Sequence, residues 1–370
     1  MLKNSKIAYI LTIIFFISFL AIIYQNQLTR LYDRLLKLGN KMFSLIFLVS
    51  STYFDFLEEF QERHALTQTE LYSEGTDNLV VLYNRVPKTG STSFVGIAYD
   101  LCKQNNFRVL HVNITANSNL LTLENQVKFV TNVTKWDVMR PALFHGHFAF
   151  LDFSKFGLPK PLFINLIRRP LDRFVSYYYF VRYGDNFRPY LVRKKHGNTM
   201  VICFINKIEQ VYANLSFQTF DECVNKRLAE CDPSHMWLQI PYFCGHSANC
   251  WKPGNKWALQ EAKKNLVTNY FLVGVTEELE DFIVILERSL PRMFKGATEH
   301  FLNSNRSHLR KTVQKEVPSE ETMQKIKKSV VWQMENELYE FALEQFHFTK
   351  KQFLKNKNQN VMYEKIRPKT

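Results

Sequence analysis

The stretch Leu79-Val-Val-Leu-Tyr-Asn-Arg85-Val-Pro-Lys88-Thr-Gly90-Ser-Thr-Ser-Phe94 joins a short apolar run to a loop rich in hydroxyl groups. The run has the length of a buried strand, and a helix is predicted after the loop. Such a junction presents backbone N–H groups and the positive end of a helix dipole to an anion. Lys88 adds a movable charge, and Gly90 permits close approach. Further donors are the hydroxyls of Thr89, Ser91, Thr92 and Ser93. The stretch therefore predicts a phosphate-binding loop.

This loop differs from the Walker loop of nucleotide-hydrolysing enzymes. A Walker loop requires Gly ahead of its Lys, whereas this chain has Tyr83 and no Gly in that segment. No later strand offers an obvious Asp for magnesium. We therefore predict a phosphate site that works without a nucleotide-bound metal, and we expect no metal site. The alternative is a hydroxyl-rich turn that only caps a helix.

Apolar runs alternate with helix-like stretches along much of the chain. The runs lie at 79–83, 108–112, 142–144, 162–167 and 270–275. Runs that are apolar on both faces and separated by helices are typical of a buried parallel sheet. Further helices are predicted after Thr276 and after Pro318. The pattern predicts an α/β fold with a helical C-terminal section.

A second anion-binding element is predicted at the end of the run 162–167. Arg168 follows the run, and Ser176 lies eight residues later on a predicted helix. An Arg at a strand end and a Ser on the next helix can converge on one phosphate. Two phosphate-binding elements fit a nucleotide with phosphates at both ends, such as 3′-phosphoadenosine 5′-phosphosulfate.

His145 and His147 follow the run 142–144 and are candidates for a catalytic base. Residues two apart on a strand share a face, so both rings can point into one cleft. A histidine with an ordinary pKa of about 6.5 is suited to accept a hydroxyl proton at neutral pH. A metal-binding pair and two surface histidines are the alternatives.

Composition limits the class of protein and of partner. The chain has 370 residues, 46% hydrophobic and 22% charged, which excludes a disordered or fibrous protein. The formal net charge is +14, which favours a polyanionic partner. Part of this charge forms a basic cluster made of Arg188, Arg193, Lys194, Lys195 and His196.

Residues 7–24 are predicted to be an uncleaved transmembrane signal anchor. They contain no charge or Pro and span about 27 Å as a helix, enough for a bilayer core. A cleaved signal peptide is the alternative, but no small-residue cleavage site follows Tyr24. Residues 1–6 are then a cytosolic tail, 25–74 a stem and 75–370 a lumenal catalytic domain.

The cysteines fit a secretory compartment. Four of them crowd into 28 residues: Cys223, Cys231, Cys244 and Cys250. In an oxidising lumen two short-loop disulfides are expected, Cys223–Cys231 and Cys244–Cys250. A zinc site that includes Cys244, His246 and Cys250 is the alternative.

Four Asn-x-Ser/Thr sequons accompany this predicted lumenal placement. They begin at Asn113, Asn132, Asn214 and Asn305. Since such sequons are acceptors for N-linked glycans in secreted proteins, we predict glycosylation at Asn113 and Asn132.

Seven blocks, in this order, resemble the heparan sulfate 2-O-sulfotransferase family. They are Arg85-Val-Pro-Lys-Thr-Gly-Ser-Thr-Ser-Phe, Ile97-Ala-Tyr-Asp-Leu-Cys, His145-Gly-His147, Ser176-Tyr-Tyr-Tyr-Phe, Trp237-Leu-Gln-Ile-Pro, Phe271-Leu-Val-Gly-Val-Thr-Glu-Glu-Leu-Glu and Ser307-His-Leu-Arg-Lys-Thr. The resemblance covers roughly 75–370. It implies a P-loop-like sulfotransferase fold, with helices flanking a central parallel sheet. The implied reaction moves a sulfuryl group from 3′-phosphoadenosine 5′-phosphosulfate to the 2-hydroxyl of uronic acid, mainly iduronate, in heparan sulfate. A single-pass type II Golgi protein that forms a homotrimer is also implied, and the family's two disulfides match the pairs above.

The resemblance also implies roles for individual residues. Lys88 to Thr92 resemble the loop that binds the 5′-phosphosulfate, with Lys88 at the bridging oxygen of the leaving group. His147 resembles the catalytic base and His145 its companion. The other implied nucleotide contacts are Arg168, Ser176, Phe301, Ser307, Thr312 and Lys315. The implied sugar-chain contacts are Arg85, Tyr99, His111, Arg188, Arg193, Arg310 and Lys365.

The chain departs from the family at three places. Arg169 stands where the family has an acidic residue, and Phe301 stands where it has a Tyr that contacts the nucleotide. About 18 residues around 199–217 have no counterpart and include Cys203. They are either a surface insertion or retained intron sequence.

Three other functions compete with this one. The related alternative is a uronyl 2-O-sulfotransferase that acts on dermatan or chondroitin sulfate. A glycan-binding protein with a degenerate site is opposed by the intact Lys88 and His147. A phosphate-loop kinase is opposed by the missing Walker Gly and magnesium-binding Asp. Nucleic acid is not an expected partner.

Overall fold

A computed structural model describes residues 77–112, 119–185, 218–303, 312 and 314–353, with the backbone alone for 76, 191–196, 199–204 and 354–355. The strands in this part of the chain are β1 (Val80–Asn84), β2 (Arg108–His111), β3 (Ala142–Gly146), β4 (Leu162–Ile167), β5 (Leu191–His196), β6 (Thr199–Phe204) and β7 (Tyr270–Val275).

Helices surround these strands and fill the C-terminal section. They are α1 (Ser91–Leu101), α2 (Leu123–Lys135), α3 (Pro170–Tyr183), α4 (Phe220–Asn225), α5 (Gln239–Cys244), α6 (Lys256–Thr268), α7 (Leu279–Ser289), α8 (Pro291–Phe294), α9 (Ala297–Asn303), α10 (Glu320–Lys327) and α11 (Val330–Lys355). Short 3-10 helices lie at Thr76–Asn78, Asp137–Met139, Phe153–Phe156, Ala229–Cys231, Pro233–Met236, Ala248–Trp251 and Thr276–Glu278.

Five strands form one parallel sheet in the order β2-β3-β1-β4-β7. The predicted apolar runs are its strands, and β3 and β7 are buried along their whole length. This burial explains why the runs are apolar on both faces. The α/β prediction with a central parallel sheet is confirmed.

The strand order determines where a site can form. β1 pairs with β3 on one side and with β4 on the other, although α1 and β2 follow β1 in the chain. In open α/β sheets, ligands bind beyond the carboxyl ends of the strands at such a reversal. Here the carboxyl ends of β1, β3 and β4 lead into Arg85, His147 and Arg168. All three sequence-predicted elements therefore meet at one edge of the sheet.

The helical C-terminal section was also predicted correctly. Ser319 caps α10, because its hydroxyl accepts a hydrogen bond from the backbone N–H of Thr322 at 3.3 Å. The longer α11 buries Leu338, Ala342 and Phe346 and packs against α6 and β7. This helix also carries Glu335, a carboxylate with no exposed surface.

Both predicted disulfides are present, Cys223–Cys231 and Cys244–Cys250. All four cysteines are buried. Because Cys244 and Cys250 are bonded to each other, the zinc alternative is excluded for this pair. Cys102 is a free thiol at the end of α1.

Several predictions fall on residues that the structure does not describe. The predicted span 7–24 and stem 25–74 lie outside the described residues, and so does Asn113. Among the helices that are described, none is both long and apolar enough to cross a membrane. Thr199–Phe204, the start of the segment without a family counterpart, is strand β6 and pairs antiparallel with β5.

Candidate active site

The phosphate loop connects β1 to α1 in a conformation suited to anions. Lys88 and Gly90 both have left-handed backbone angles, with φ of 69° and 73°. At position 90 a Cβ atom would also lie 3.2 Å from a methyl carbon of Thr276, so this position favours Gly. Gly90 is the N-cap of α1 and has no side chain to cap it. The first-turn amides of α1 can therefore serve a phosphate.

Lys88 extends from this loop towards the second anion-binding element. Its Nζ donates a hydrogen bond to Oγ1 of Thr312 at 3.2 Å and lies 4.2 Å from the centre of the Phe180 ring. Oγ1 of Thr312 lies 3.4 Å from the hydroxyl of Ser176. Lys88, Ser176 and Thr312 thus converge in the structure.

Arg168 is linked directly to the phosphate loop. Its Nη1 donates to the backbone oxygen of Lys88 at 3.2 Å. Partial desolvation and the positive charge of Arg168 lower the pKa of Lys315, while Asp172 acts in the opposite direction. Two cations that repel each other mark a place where an anion stabilises both. Arg168 and Lys315 are both among the nucleotide contacts that the resemblance implied.

Gln239 positions Arg168, a role the sequence did not reveal. Its Oε1 accepts the backbone N–H of Arg168 at 2.9 Å, and its Nε2 donates to the Arg168 backbone oxygen at 2.9 Å. Glu335 in turn accepts N–H groups from Leu238, Gln239 and Ile240 at 2.8, 3.3 and 3.2 Å. The buried carboxylate thus holds the first turn of α5, which carries the Gln239 side chain. Gln239 belongs to the block Trp237-Leu-Gln-Ile-Pro, to which the sequence assigns no role.

The two histidines at the end of β3 have different environments. His147 is exposed, and its Nδ1 lies 2.8 Å from the backbone oxygen of Arg85. His145 is only 2% exposed, and burial together with the positive charge of Arg85 lowers its pKa to about 3. Gly146 between them is required, since a Cβ there would lie 2.6 Å from the carbonyl oxygen of Val112. His147 is therefore open to solvent, whereas the His145 ring is enclosed and held neutral.

The predicted sugar contacts Arg85, Tyr99 and His111 surround His145. Arg85 Nη1 lies 3.3 Å from His145 Nδ1, and the Tyr99 hydroxyl lies 3.0 Å from Nε2. The ring centres of His111 and His145 are 5.0 Å apart. Burial and Arg85 also lower the pKa of His111. These contacts place Arg85, Tyr99 and His111 within one cluster.

Two of the departures from the family pattern, Arg169 and Phe301, lie within the described residues. The backbone N–H of Arg169 donates to Oε1 of Glu277 at 3.1 Å, so Glu277 supplies an acidic partner at this strand end. Phe301 is buried on α9, which packs against α1.

Asn132 is exposed on α2, as a glycosylation site requires.

The remaining predicted contacts cannot be placed. Ser307, Arg310, Arg188 and Lys365 lie outside the described residues. Arg193 belongs to β5, where its backbone pairs with Ile202. These assignments stay predictions.

Comparison with known proteins agrees with this geometry. Residues 75–342 match the model of the sulfotransferase family. The chain is 58% identical over 312 residues to heparin sulfate O-sulfotransferase of Drosophila melanogaster, covering 83% of this chain and 84% of that protein. It is 49% identical to heparan sulfate 2-O-sulfotransferase 1 of Gallus gallus and 48% identical to that of Homo sapiens, each over 324 residues. Both alignments cover 85% of this chain and 86% of the relative.

Proposed function

Because this chain belongs to the sulfotransferase family, we propose that it transfers a sulfuryl group from 3′-phosphoadenosine 5′-phosphosulfate to the 2-hydroxyl of uronic acid, mainly iduronate, in heparan sulfate. It is an enzyme. The heparan name of relatives up to 58% identical supports this acceptor over dermatan or chondroitin sulfate.

The observation that carries the proposal is the double role of Arg85. Its backbone oxygen contacts Nδ1 of His147 at 2.8 Å. Its Nη2 lies 3.3 Å from both the Ser91 and the Thr92 hydroxyls in the first turn of α1. One residue therefore connects the candidate base to the loop that would hold the donor. Sulfuryl transfer requires this adjacency, since the acceptor oxygen must reach sulfur while its proton leaves.

The chain's residues fit the proposed donor. The phosphate loop and first turn of α1 would hold the 5′-phosphosulfate, and Arg168, Ser176, Thr312 and Lys315 would hold the 3′-phosphate. When bound, 3′-phosphoadenosine 5′-phosphosulfate supplies the sulfuryl group and departs as 3′-phosphoadenosine 5′-phosphate. Lys88 and the α1 amides stabilise negative charge that develops beside them.

His147 supports the proton transfer of this reaction. A carbonyl oxygen only accepts hydrogen bonds, so contact with Arg85 places the proton on Nδ1 of the neutral ring and the lone pair on Nε2. Nε2 accepts the proton of the acceptor hydroxyl as that oxygen forms its bond to sulfur. Because the ring is exposed, a large glycan can approach it.

We also propose that the enzyme works in the Golgi lumen as a homotrimer anchored by residues 7–24. The two disulfides support an oxidising compartment. The charge of +14 suits a polyanionic glycan.

The decisive experiment is sulfate transfer from labelled donor to desulfated heparan, dermatan and chondroitin chains, followed by disaccharide analysis. We expect 2-O-sulfated uronate from the heparan chain, and no transfer by a His147→Ala control. Preferred sulfation of dermatan or chondroitin would establish the alternative acceptor. Absence of transfer to every chain would contradict the proposed function.

A further inference from the structure

Each ring nitrogen of His145 contacts a polar partner. Arg85 Nη1 lies 3.3 Å from Nδ1, and the Tyr99 hydroxyl lies 3.0 Å from Nε2. The centre of the His111 ring lies 5.0 Å from the centre of the His145 ring. The Tyr99 ring contacts the His145 ring edge-on, with 5.6 Å between the ring centres. With 2% of its surface exposed, this ring cannot turn towards a bound acceptor as a base must.

The contact with Arg85 determines which nitrogen of His145 carries the proton. A guanidinium donates hydrogen bonds but cannot accept them, so Nδ1 must accept. In a neutral imidazole the proton is then on Nε2. Burial and the charge of Arg85 keep the ring neutral, since they lower its pKa to about 3. Nε2–H therefore donates to the oxygen of Tyr99.

This direction of donation determines how Tyr99 can act. Its oxygen already accepts from His145, so its own hydroxyl proton points away from that ring. Tyr99 is 46% exposed, and a partner outside the protein can therefore reach this proton. Uronic acids carry a carboxylate, and a hydroxyl that donates to a carboxylate makes a short, strong hydrogen bond.

We propose that His145 is a positioning residue that makes Tyr99 a hydrogen-bond donor to the carboxylate of the acceptor uronate. The inference rests on the proposed function, because it takes the acceptor from there. The proposal assigns different roles to the two histidines. His147 accepts the hydroxyl proton, whereas His145 orients the group that recognises the sugar.

A double-mutant cycle on the full-length enzyme tests the coupling. Tyr99→Phe removes the hydroxyl, and His145→Asn keeps a polar group near Arg85 but is too short to reach Tyr99. We expect each variant to raise the acceptor KM about tenfold with a smaller change in kcat, and the double variant to match the single variants. The acid limb of kcat against pH should persist in His145→Asn, since His147 is intact. Additive KM effects, or a kcat loss of about 10²-fold with loss of that limb, would overturn the proposal.

Two further measurements keep the test decisive if His145→Asn folds poorly. His145→Gln carries an amide that can reach Tyr99, so it should restore KM to within about threefold of the wild-type value. A KM as high as that of Tyr99→Phe would contradict the assigned role. Nitrogen-15 NMR of histidine-labelled wild-type enzyme should show His145 protonated at Nε2 alone at pH 7, and protonation at Nδ1 would refute the proposal. This spectrum does not depend on sulfation, so it distinguishes failure of the inference from failure of the proposed function.

Discussion

The backbone oxygen of Arg85 lies 2.8 Å from Nδ1 of His147, which directly follows β3, the strand next to β1. The contact holds the imidazole by a group whose position is set by the sheet, because the Arg85 N–H itself donates to the Gly146 oxygen at 2.7 Å. The pairing of β1 with β3 therefore fixes the backbone atom that the His147 ring contacts.

Replacing His147 by Ala should nearly abolish sulfation while donor binding stays close to that of the wild type. A general base contributes about 10²–10⁴-fold to turnover, and this base acts on the acceptor. Transfer assays and calorimetry with 3′-phosphoadenosine 5′-phosphate measure the two quantities. His235→Ala is a matched control, because His235 is an exposed histidine outside the group of residues around His145. Retention of wild-type kcat by His147→Ala would remove His147 from the mechanism.

Lys88→Ala should lower turnover by at least about 10²-fold and leave the fold intact. The expected loss corresponds to one charge-stabilising donor at the leaving group. Lys103→Ala is the control, since Lys103 is an exposed lysine just beyond α1. Single-turnover rates at saturating donor separate chemistry from binding, and a near-normal rate would contradict the role of Lys88.

Much of the fold and half of the site were predictable because their signals are local. β1, the phosphate loop and α1 are adjacent in sequence, and each disulfide closes a loop of fewer than ten residues. The positions of Arg168 and His147 followed from strand ends, since parallel strands bring their carboxyl ends to one edge.

The supporting residues were missed because their contacts are remote in sequence. Gln239 is 71 residues from Arg168, and Glu335 is 97 residues from Leu238. A Gln in a short helix and a Glu in a long one have no distinctive pattern. The surroundings of His145 could not be predicted for a similar reason. Spacing of two along a strand predicts a shared face but not that Arg85 and Tyr99 occupy both nitrogens of one ring.

Glu335→Gln should destabilise the protein and weaken donor binding. Burial raises the pKa of Glu335, and the positive charge of the buried Arg173 lowers it. A neutral amide at position 335 cannot balance the charge of Arg173. Leaving a buried guanidinium without a balancing charge lowers the free energy of unfolding by about 3–5 kcal/mol. A looser α5 should also raise the donor KM through Gln239. Denaturant unfolding and donor titration measure both effects.

Glu337→Gln is the matched control for this change. Glu337 lies on the same helix but is half exposed and pairs with Lys263 at 2.7 Å near the surface. Loss of this ion pair in Glu337→Gln should change the free energy of unfolding by less than about 1 kcal/mol. Equal effects of the two variants would mean that Glu335 is not a specific support for α5.

His145 should make stability depend on pH in a predictable direction. Burial, followed by the charges of Arg85, His111 and His147, lowers its pKa from 6.5 to about 3. Between these values the unfolded chain binds a proton that the native state does not. The free energy of unfolding therefore falls as pH falls below 6.5, by up to about 1.4 kcal/mol per pH unit. Denaturant unfolding between pH 7 and 5 should show a shallower slope for His145→Asn than for the wild type. Identical slopes would show that His145 does not titrate as described.

Arg193→Ala should change the balance between iduronate and glucuronate products. Arg193 lies on β5 within the basic cluster, and the family resemblance places it beside the acceptor uronate. Arg can hold a carboxylate through two parallel hydrogen bonds, which makes its contact specific for geometry. Its neighbour Lys194 has no such assignment and serves as the control. Lys194→Ala should weaken binding in a salt-dependent way and leave the product balance unchanged. Disaccharide analysis on one heparan-type precursor compares the two variants directly. An unchanged uronate ratio in Arg193→Ala would reduce this residue to part of the general basic surface.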